Sequence, residues 1–322
     1  MIRIKRANNQ YHLENSIRNS EQINTKTPCP SKKVPKNIEK LQDKYPGDQL
    51  QKEWYSLLSS LKKSYAEKIG LMPQCVREKE VRAFSTRFTY DTDKIEESKL
   101  TLSETATLLK KGIAPEGRRF WQWGITPLQD IREARAQEKL FYDVLNCKKD
   151  LSFRMVLDWH KKLFQTTKPH IAGKVRKHQI SMFGSKFIPP SAVDIHSLLR
   201  EFFRWYHGNQ NRLHTVELAA VAHLKFVTIH PFVDGNGRIA RLIMNFILHR
   251  NGYPMFNVPY ESRRGYFIAL ERSQINKRDA DFLQWFTKMY LRAKTAMLST
   301  CRKATSKVNN EIKVTLDTEN NS

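Results

Sequence analysis

The sequence predicts a mainly α-helical protein with a small β-meander at its N-terminus and one β-hairpin inside the helical part. Three observations carry that reading. Apolar residues recur at helical spacing through most of the 322 residues. Capping signals and glycine stops divide the pattern into helices of ordinary length. Only two stretches, near residues 2–28 and 179–190, combine β-prone runs with turn residues.

Taken in order, residues 2–28 hold three β-prone runs: Ile2–Lys5, Gln10–Leu13 and Gln22–Thr27. Asn8-Asn9 and Asn19-Ser20 separate them as turn residues. Pro28, Pro30 and Pro35 then mark a linker. Residues 36–80 read as helical on Leu41, Trp54, Leu57, Leu58 and Leu61, with interruptions at Gly70 and Pro73. Residues 84–90 read as a short extended stretch. Asp93 with Glu96 resembles a capping pair that opens a helix, and Thr101 with Glu104 is a capping box before Leu108 and Leu109. Gly112 ends that second helix. Helices follow at 127–146 and 152–165. Gly184-Ser185, between two short extended runs, suits a tight hairpin. Further helices are expected at 191–206, 214–229, 237–250 and 262–294. The expected organisation is a β-meander and linker (1–35), an N-terminal helical region (36–115), a larger helical domain (116–300) and a polar, disordered tail (303–322).

Composition excludes several classes. Hydrophobic residues make up 40 % and aromatics 11 %, enough for a core and too many for a disordered chain. No run approaches the roughly 20 apolar residues of a membrane span. The basic N-terminus lacks the apolar stretch and cleavage site of a signal peptide, so the expected location is cytoplasmic. The four cysteines, Cys29, Cys75, Cys147 and Cys301, show no CxxC pair or metal-ligand spacing and read as reduced thiols. The formal charge of +24 suits phosphate-bearing ligands, acidic proteins or nucleic acid. Lys and Arg are spread along the chain, with no helix-turn-helix or zinc pattern, so a nucleic-acid-binding regulator is the weaker reading.

The chemistry is concentrated in His230-Pro-Phe-Val-Asp234-Gly-Asn-Gly-Arg238-Ile-Ala-Arg241. Residues 216–229 before it are apolar on nearly all sides, which marks a buried helix. Pro231 ends that helix and leaves His230 at its exit, facing a loop. His223, earlier on the same helix, reads as structural. Gly235 and Gly237 around Asn236 can take backbone conformations that turn successive N–H groups into an anion nest. A new helix starts at once, with Ile239, Leu242, Ile243, Phe246 and Ile247 on one face, and its N-terminus favours phosphate. Arg238 and Arg241 can reach phosphate oxygens with forked donors. Asp234 offers a hard oxygen to Mg²⁺. His230 can accept a proton near neutral pH. Together these parts specify phosphoryl or nucleotidyl transfer.

The pattern HPFxDGNGRxxR is that of the Fic family, and every fixed position is present at 230–241. Ala172-Gly173-Lys174-Val175-Arg176, a hairpin and Pro189-Pro190 resemble the family's flap region. Asn251-Gly252-Tyr253-Pro254 resembles the end of the helix after the motif. The resemblance covers residues 85–295. It implies a Fic-domain helical bundle with a β-hairpin flap. It also implies a protein adenylyltransferase, which moves AMP from ATP to a Ser, Thr or Tyr hydroxyl with Mg²⁺ or Mn²⁺ as cofactor. Carried over by position, His230 is the base and Asp234 the metal ligand. Gly235, Asn236, Gly237 and Arg238 hold phosphates, and Arg241 holds the γ-phosphate. Phe232 fixes the loop. Tyr266, Phe267 and Gln274 match positions near the adenine. The flap residues Ile180, Met182, Gly184 and Ser185 align the target by strand addition. Gly237 stands where relatives that run a phosphotransferase with reversed nucleotide carry lysine.

A second resemblance concerns regulation. Thr92-Asp-Lys-Ile-Glu96, within the segment 91–98, is similar to the family's inhibitory helix, whose glutamate pairs with the second arginine of the motif. Glu97 stands where that pattern has Gly or Asn, and is a rival to Glu96. The resemblance implies a protein target, with self-modification and pairing of two copies as further expectations. It does not imply a membrane or nucleic acid. Transfer from another nucleotide, or mainly removal of AMP, is the alternative within the family.

Overall fold

The computed structural model describes residues 2–7, 10–19, 22–26, 38–113, 127–182 and 184–294, with side chains from 55–113, 128–182 and 184–294. The expected divisions at 35/36 and 115/116, and the tail at 303–322, lie outside these residues. The chain divides into two compact units, Met1–Leu57 and Leu58–Ser322.

In the first unit, β1 (Ile2–Ala7), β2 (Gln10–Asn19) and β3 (Gln22–Lys26) pair as an antiparallel sheet in the order β1-β2-β3. Ile4 lies opposite Leu13, and Ile17 opposite Asn24. Helix α1 (Ile38–Leu71) begins in this unit and ends in the next.

The second unit is helical: α2 (Gln74–Ile95), α3 (Leu102–Lys111), α4 (Pro127–Leu145), α5 (Phe153–Phe164), α6 (Ile195–Asn209), α7 (Thr215–Ile229), α8 (Asn236–Arg250), a 3₁₀ turn (Tyr260–Ser262), α9 (Arg263–Asn276) and α10 (279–294). The caps explain several boundaries. Thr101 and Glu104 form a complete capping box, and Gly112 closes α3 in the left-handed conformation. Ser152 caps α5, and the His214 ring accepts from the Val216 N–H to cap α7.

Helix α8 packs against α2, α4, α5 and α7. Its apolar face, including Ile239, Ile243 and Ile247, is fully buried. Each such side chain contributes about 1.5–3 kcal/mol of transfer free energy. Its polar face is buried too: Arg238, Arg241 and Asn245 turn inward instead of to solvent. Asn245 clamps the chain after α8, donating to the Phe256 carbonyl (2.9 Å) and accepting from the Phe256 N–H (2.8 Å).

Three expectations are corrected. Residues 84–90 are not extended but lie inside α2. Phe84 and Phe88, one turn apart, stack at 6.0 Å and both pack on Phe141 of α4. That packing overrides the local preference of the segment. Asp93 does not open a helix; it lies in the last turn of α2. Among the described residues of 179–190, no strand forms. The chain turns at Met182–Ser185 (Ser185 N–H to Met182 carbonyl, 3.2 Å), and Glu271 of α9 accepts from the Ser185 hydroxyl (2.9 Å) and the Lys186 N–H (2.6 Å). Side chains thus take up hydrogen bonds that a partner strand would otherwise supply.

Two carboxylates fix α2. Asp91 is fully buried and accepts from Arg87 (2.6 Å), the Tyr260 N–H (3.1 Å) and Asn257. Asp130 of α4 accepts from the Lys99 N–H (2.6 Å) and the Ser98 hydroxyl (3.1 Å). Between them α2 ends in a Schellman turn: Ser98 N–H donates to Asp93 carbonyl (2.9 Å) and Glu97 N–H to Lys94 carbonyl (3.1 Å). This turn puts Glu97 at φ 71°. Glycine takes that conformation freely, whereas an L side chain is strained by roughly 1–2 kcal/mol. Net of the entropy glycine gains on unfolding, Glu97→Gly is expected to stabilise the chain by about 0.5–1 kcal/mol. A lower melting temperature in calorimetry would refute this account of the turn.

Candidate functional site

The motif occupies the turn between α7 and α8. His230 caps α7 at φ 51°, forced out of the helix by Pro231. Phe232 is fully buried and stacks on His160 of α5 at 3.8 Å. Asn236 braces the loop, accepting from the Phe232 N–H and donating to the Phe232 carbonyl, both at 2.9 Å. Gly235 takes φ 80°, and a Cβ there would sit 2.5 Å from the Phe164 ring. Gly237 has no positive φ; it is helical, and a Cβ there would collide with the Glu96 carboxylate and lie 3.0 Å from the Arg241 guanidinium. Its value is close approach, not the backbone freedom expected of it. The first N–H groups of α8 open this turn as an anion-binding end.

The His230 ring is set up as an acceptor. Its Nδ1 lies 3.2 Å from the Val227 carbonyl, which can only accept, so Nδ1 carries the proton and Nε2 is free to take one. Burial lowers the His230 pKa below its ordinary value, with the Val227 carbonyl opposing. Arg176 holds this turn from behind. Its N–H donates to the Pro231 carbonyl (2.9 Å) and its guanidinium to the carbonyls of His230 (2.8 Å), His178 (2.9 Å) and Pro190 (2.6 Å). One side chain thus ties the histidine to the start and end of the 179–190 segment.

Asp234 sits in a cluster of alternating charge. Lys168 donates to its Oδ2 at 2.6 Å and lies 3.3 Å from Glu133 Oε1. Arg238 Nη2 is 3.4 Å from Asp234 Oδ1, and Arg238 Nη1 is 2.5 Å from Glu133 Oε2. Burial pushes the Asp234 carboxyl up, but Arg238 and Lys168 outweigh it and hold its pKa below the usual value. Arg238 is buried and faces Glu133 and Asp234, so its guanidinium braces the loop from inside. Asp93 approaches Arg238 to 3.8 Å with no hydrogen bond to either carboxyl oxygen. Burial pushes its pKa up to about 7, against the pull of Arg238.

Arg241 lies one turn further along α8. It is 1 % exposed and meets the C-terminal end of α2. Its Nε donates to the Thr92 hydroxyl (2.5 Å), and its Nη2 to the Thr92 carbonyl (3.2 Å) and to Glu96 Oε1 (2.6 Å). Glu96 therefore bonds the guanidinium, while Glu97 is exposed. Tyr266 of α9 is buried beneath Arg241, 3.4 Å from its Nη1 and 3.0 Å from His223 Nε2. It lies as a support under the arginine. Phe267 is 48 % exposed. Gln274 is buried, lines a cavity of about 410 Å³ between α6, α7 and α9, and its Nε2 has no hydrogen-bond partner. Ile180 and Met182 are half-buried, Gly184 is exposed, and Ser185 bonds Glu271.

His160, Lys168, Glu133 and Arg176 were missed by sequence reasoning. None belongs to the motif. The stretch 172–176 was noted, but nothing local marked its arginine as the tie. His160 Nδ1 accepts from the Gly173 N–H (2.9 Å), so its Nε2 donates to the Asp234 carbonyl (3.0 Å). Burial pulls its pKa to about 4 and keeps it neutral.

Among the described residues, no helix is long and apolar enough to cross a membrane. Cys75 and Cys147 are free thiols.

Residues 150–248 match the model of the Fic/DOC family. Proteins named protein adenylyltransferase Fic from Drosophila sechellia and Drosophila melanogaster are 34 % identical over 183 residues, 56 % of this chain and 36 % of theirs. The match thus spans about a third of the length of these curated relatives. Among solved structures, Fic-1 (residues 134–508) from C. elegans superposes with a TM-score of 0.69 at 23 % identity, covering 84 % of this chain and 79 % of that one. A Fic-domain-containing signalling protein from Bacteroides thetaiotaomicron gives 0.66 at 23 % identity, covering 78 % and 96 %. Both are likenesses of fold.

The tight turn makes a stability prediction. Gly235→Ala adds left-handed strain and a methyl group against Phe164, and is expected to destabilise the chain by about 2–4 kcal/mol. Urea denaturation measures it; a change below about 0.5 kcal/mol would show that the loop yields at little cost.

Proposed function

We propose that this chain, whose residues 150–248 form a Fic/DOC-family domain, is a protein adenylyltransferase held inactive by its own Glu96. One observation supports this above all: the Glu96 carboxylate is bonded to Arg241 at 2.6 Å beside the open N-terminus of α8. A carboxylate there occupies the guanidinium that a terminal phosphate needs.

In this reading ATP lies with its phosphates over Gly235, Asn236 and Gly237, and its γ-phosphate on Arg241 after Glu96 withdraws. Gln274, with its unpartnered amide nitrogen, and the exposed Phe267 suit the base. His230 Nε2 takes the proton of a Ser, Thr or Tyr hydroxyl on the target protein. The freed oxygen attacks the α-phosphorus, pyrophosphate leaves, and AMP remains esterified to the target. The segment carrying Ile180, Met182, Gly184 and Ser185 would align the target segment, which would add as a strand.

Mg²⁺ or Mn²⁺ suits Asp234. A cation, the Lys168 ammonium, already bridges Asp234 and Glu133. No group of three or more candidate ligands exists among the described residues, so phosphate oxygens and water would complete the shell, as Mg²⁺ prefers. When bound, the metal supplies charge neutralisation at the phosphates. Self-modification and pairing of two copies belong to the same proposal.

The test uses wild type, Glu96→Gly and His230→Ala with Mg²⁺ and ATP labelled at the α- or the γ-phosphate. Label from the α-phosphate is expected on protein. It rises at least about tenfold in Glu96→Gly, the worth of one charge-assisted hydrogen bond, and falls about 10²–10⁴-fold in His230→Ala. Label from γ alone would mean a phosphotransferase. Undiminished transfer by His230→Ala would sink the proposal.

The pH profile has a definite sign. His230 must be neutral to accept a proton, and burial lowers its pKa. Transfer by Glu96→Gly should therefore be level around neutral pH and fall only below the ordinary histidine value of about 6.5. A fall beginning above that value would contradict the assigned base.

A further inference from the structure

A second cavity, of about 300 Å³, lies between the end of α1, the first half of α2, the segment at 254–255 and α10. Lys68, Arg77 and Lys294 supply three cationic side chains to its lining, and Glu80 is the one acid among the described residues there. Glu80 is already committed, since Lys68 holds both its carboxylate oxygens at 2.8 and 2.9 Å. Arg77 donates to the carbonyls of Ile69 and Met72, both at 3.2 Å.

Lys294 is different. It is only 8 % exposed, and no carboxylate among the described residues reaches it; the Phe84 ring lies 5.8 Å from its ammonium. An unpaired ammonium at that depth costs several kcal/mol, and a cation–π contact returns only a part. Burial, and then the neighbouring Lys68 charge, lower its pKa to about 8, so it remains mostly charged at pH 7. Apolar walls, Phe84, Val81 and Met255, face the same space. A charge with no carboxylate partner among the described residues, a cavity beside it and apolar walls around it are the parts of a site for an amphipathic anion. The volume is at the small end of the range for ligand pockets, about one ring or a short chain. An inorganic ion would leave the apolar walls uncovered.

We propose that this cavity binds a small organic carboxylate, its charge on Lys294 and its apolar body against Phe84 and Met255. The site is independent of His230, the anion loop and the transfer reaction, and it stands or falls without them.

The probe is sodium benzoate, titrated into the intact chain at pH 7 and followed by ligand-detected NMR. Benzyl alcohol serves as the same ring without the charge. Saturable benzoate binding is expected, unchanged by saturating Mg²⁺ and ATP. Lys294→Met keeps the volume and removes the buried charge, so it should fold with an equal or higher melting temperature. Benzoate affinity should fall at least about tenfold in that variant, and benzyl alcohol should bind wild type at least about tenfold more weakly. Any of four results overturns the proposal: no saturable binding, equal affinity in Lys294→Met, equal affinity for benzyl alcohol, or displacement by ATP.

Discussion

The buried guanidinium of Arg241 is the charge around which the second unit is arranged. At 1 % exposure it must be neutralised and hydrogen-bonded, or the fold bears a penalty of several kcal/mol. The partners come from distant parts of the chain: Thr92 and Glu96 from the end of α2, and Tyr266, backed by His223, from α9 and α7. The position of α2 is thus tied to α8 by the bond between Glu96 and Arg241, beside the candidate site. Releasing Glu96 still leaves Arg241 its Thr92 and Tyr266 partners. Release of Glu96 would therefore leave the guanidinium hydrogen-bonded to neutral groups but without its bonded carboxylate.

A second charge cluster sits on the other side of the loop. Arg238, Glu133, Asp234 and Lys168 alternate in sign, and Asp93 lies at the edge. Such a network sets positions more than it adds net stability, because desolvation offsets most of the attraction. Its evident effect is geometric. It links α4 and the segment after α5 to the start of α8, and holds the Asp234 carboxylate ionised. His160 and Arg176 act likewise on the backbone, by bonding carbonyls of the loop.

The helices were largely legible in the sequence, because their caps and stops are local. Thr101 with Glu104, Gly112, and the apolar run of α7 act through neighbours a turn away, and the structure has them where the pattern put them. The stretch at 84–90 was misread for the opposite reason. Its conformation is decided by Phe141, distant in the chain, against which Phe84 and Phe88 pack. The 179–190 segment carried strand-like residues, but among its described residues hydrogen bonds went to Glu271, Arg176 and each other.

By itself the sequence determined the parts of the site that are contiguous. The motif from His230 to Arg241 spans one helix end, one turn and one helix start, so backbone geometry alone brings its members together. Only the tertiary structure decided which groups those residues meet. Nothing near Lys168, Glu133 or His160 in the chain marks them, and the stretch around Arg176 gave no local sign of which carbonyls its guanidinium would tie together. The choice between Glu96 and Glu97 was also tertiary. The Schellman turn sends one carboxylate toward Arg241 and leaves the next in the left-handed conformation at the surface. Burial is the reason in every case: a buried charge must find an opposite charge or a dipole, and the partner is whichever one packing brings within reach.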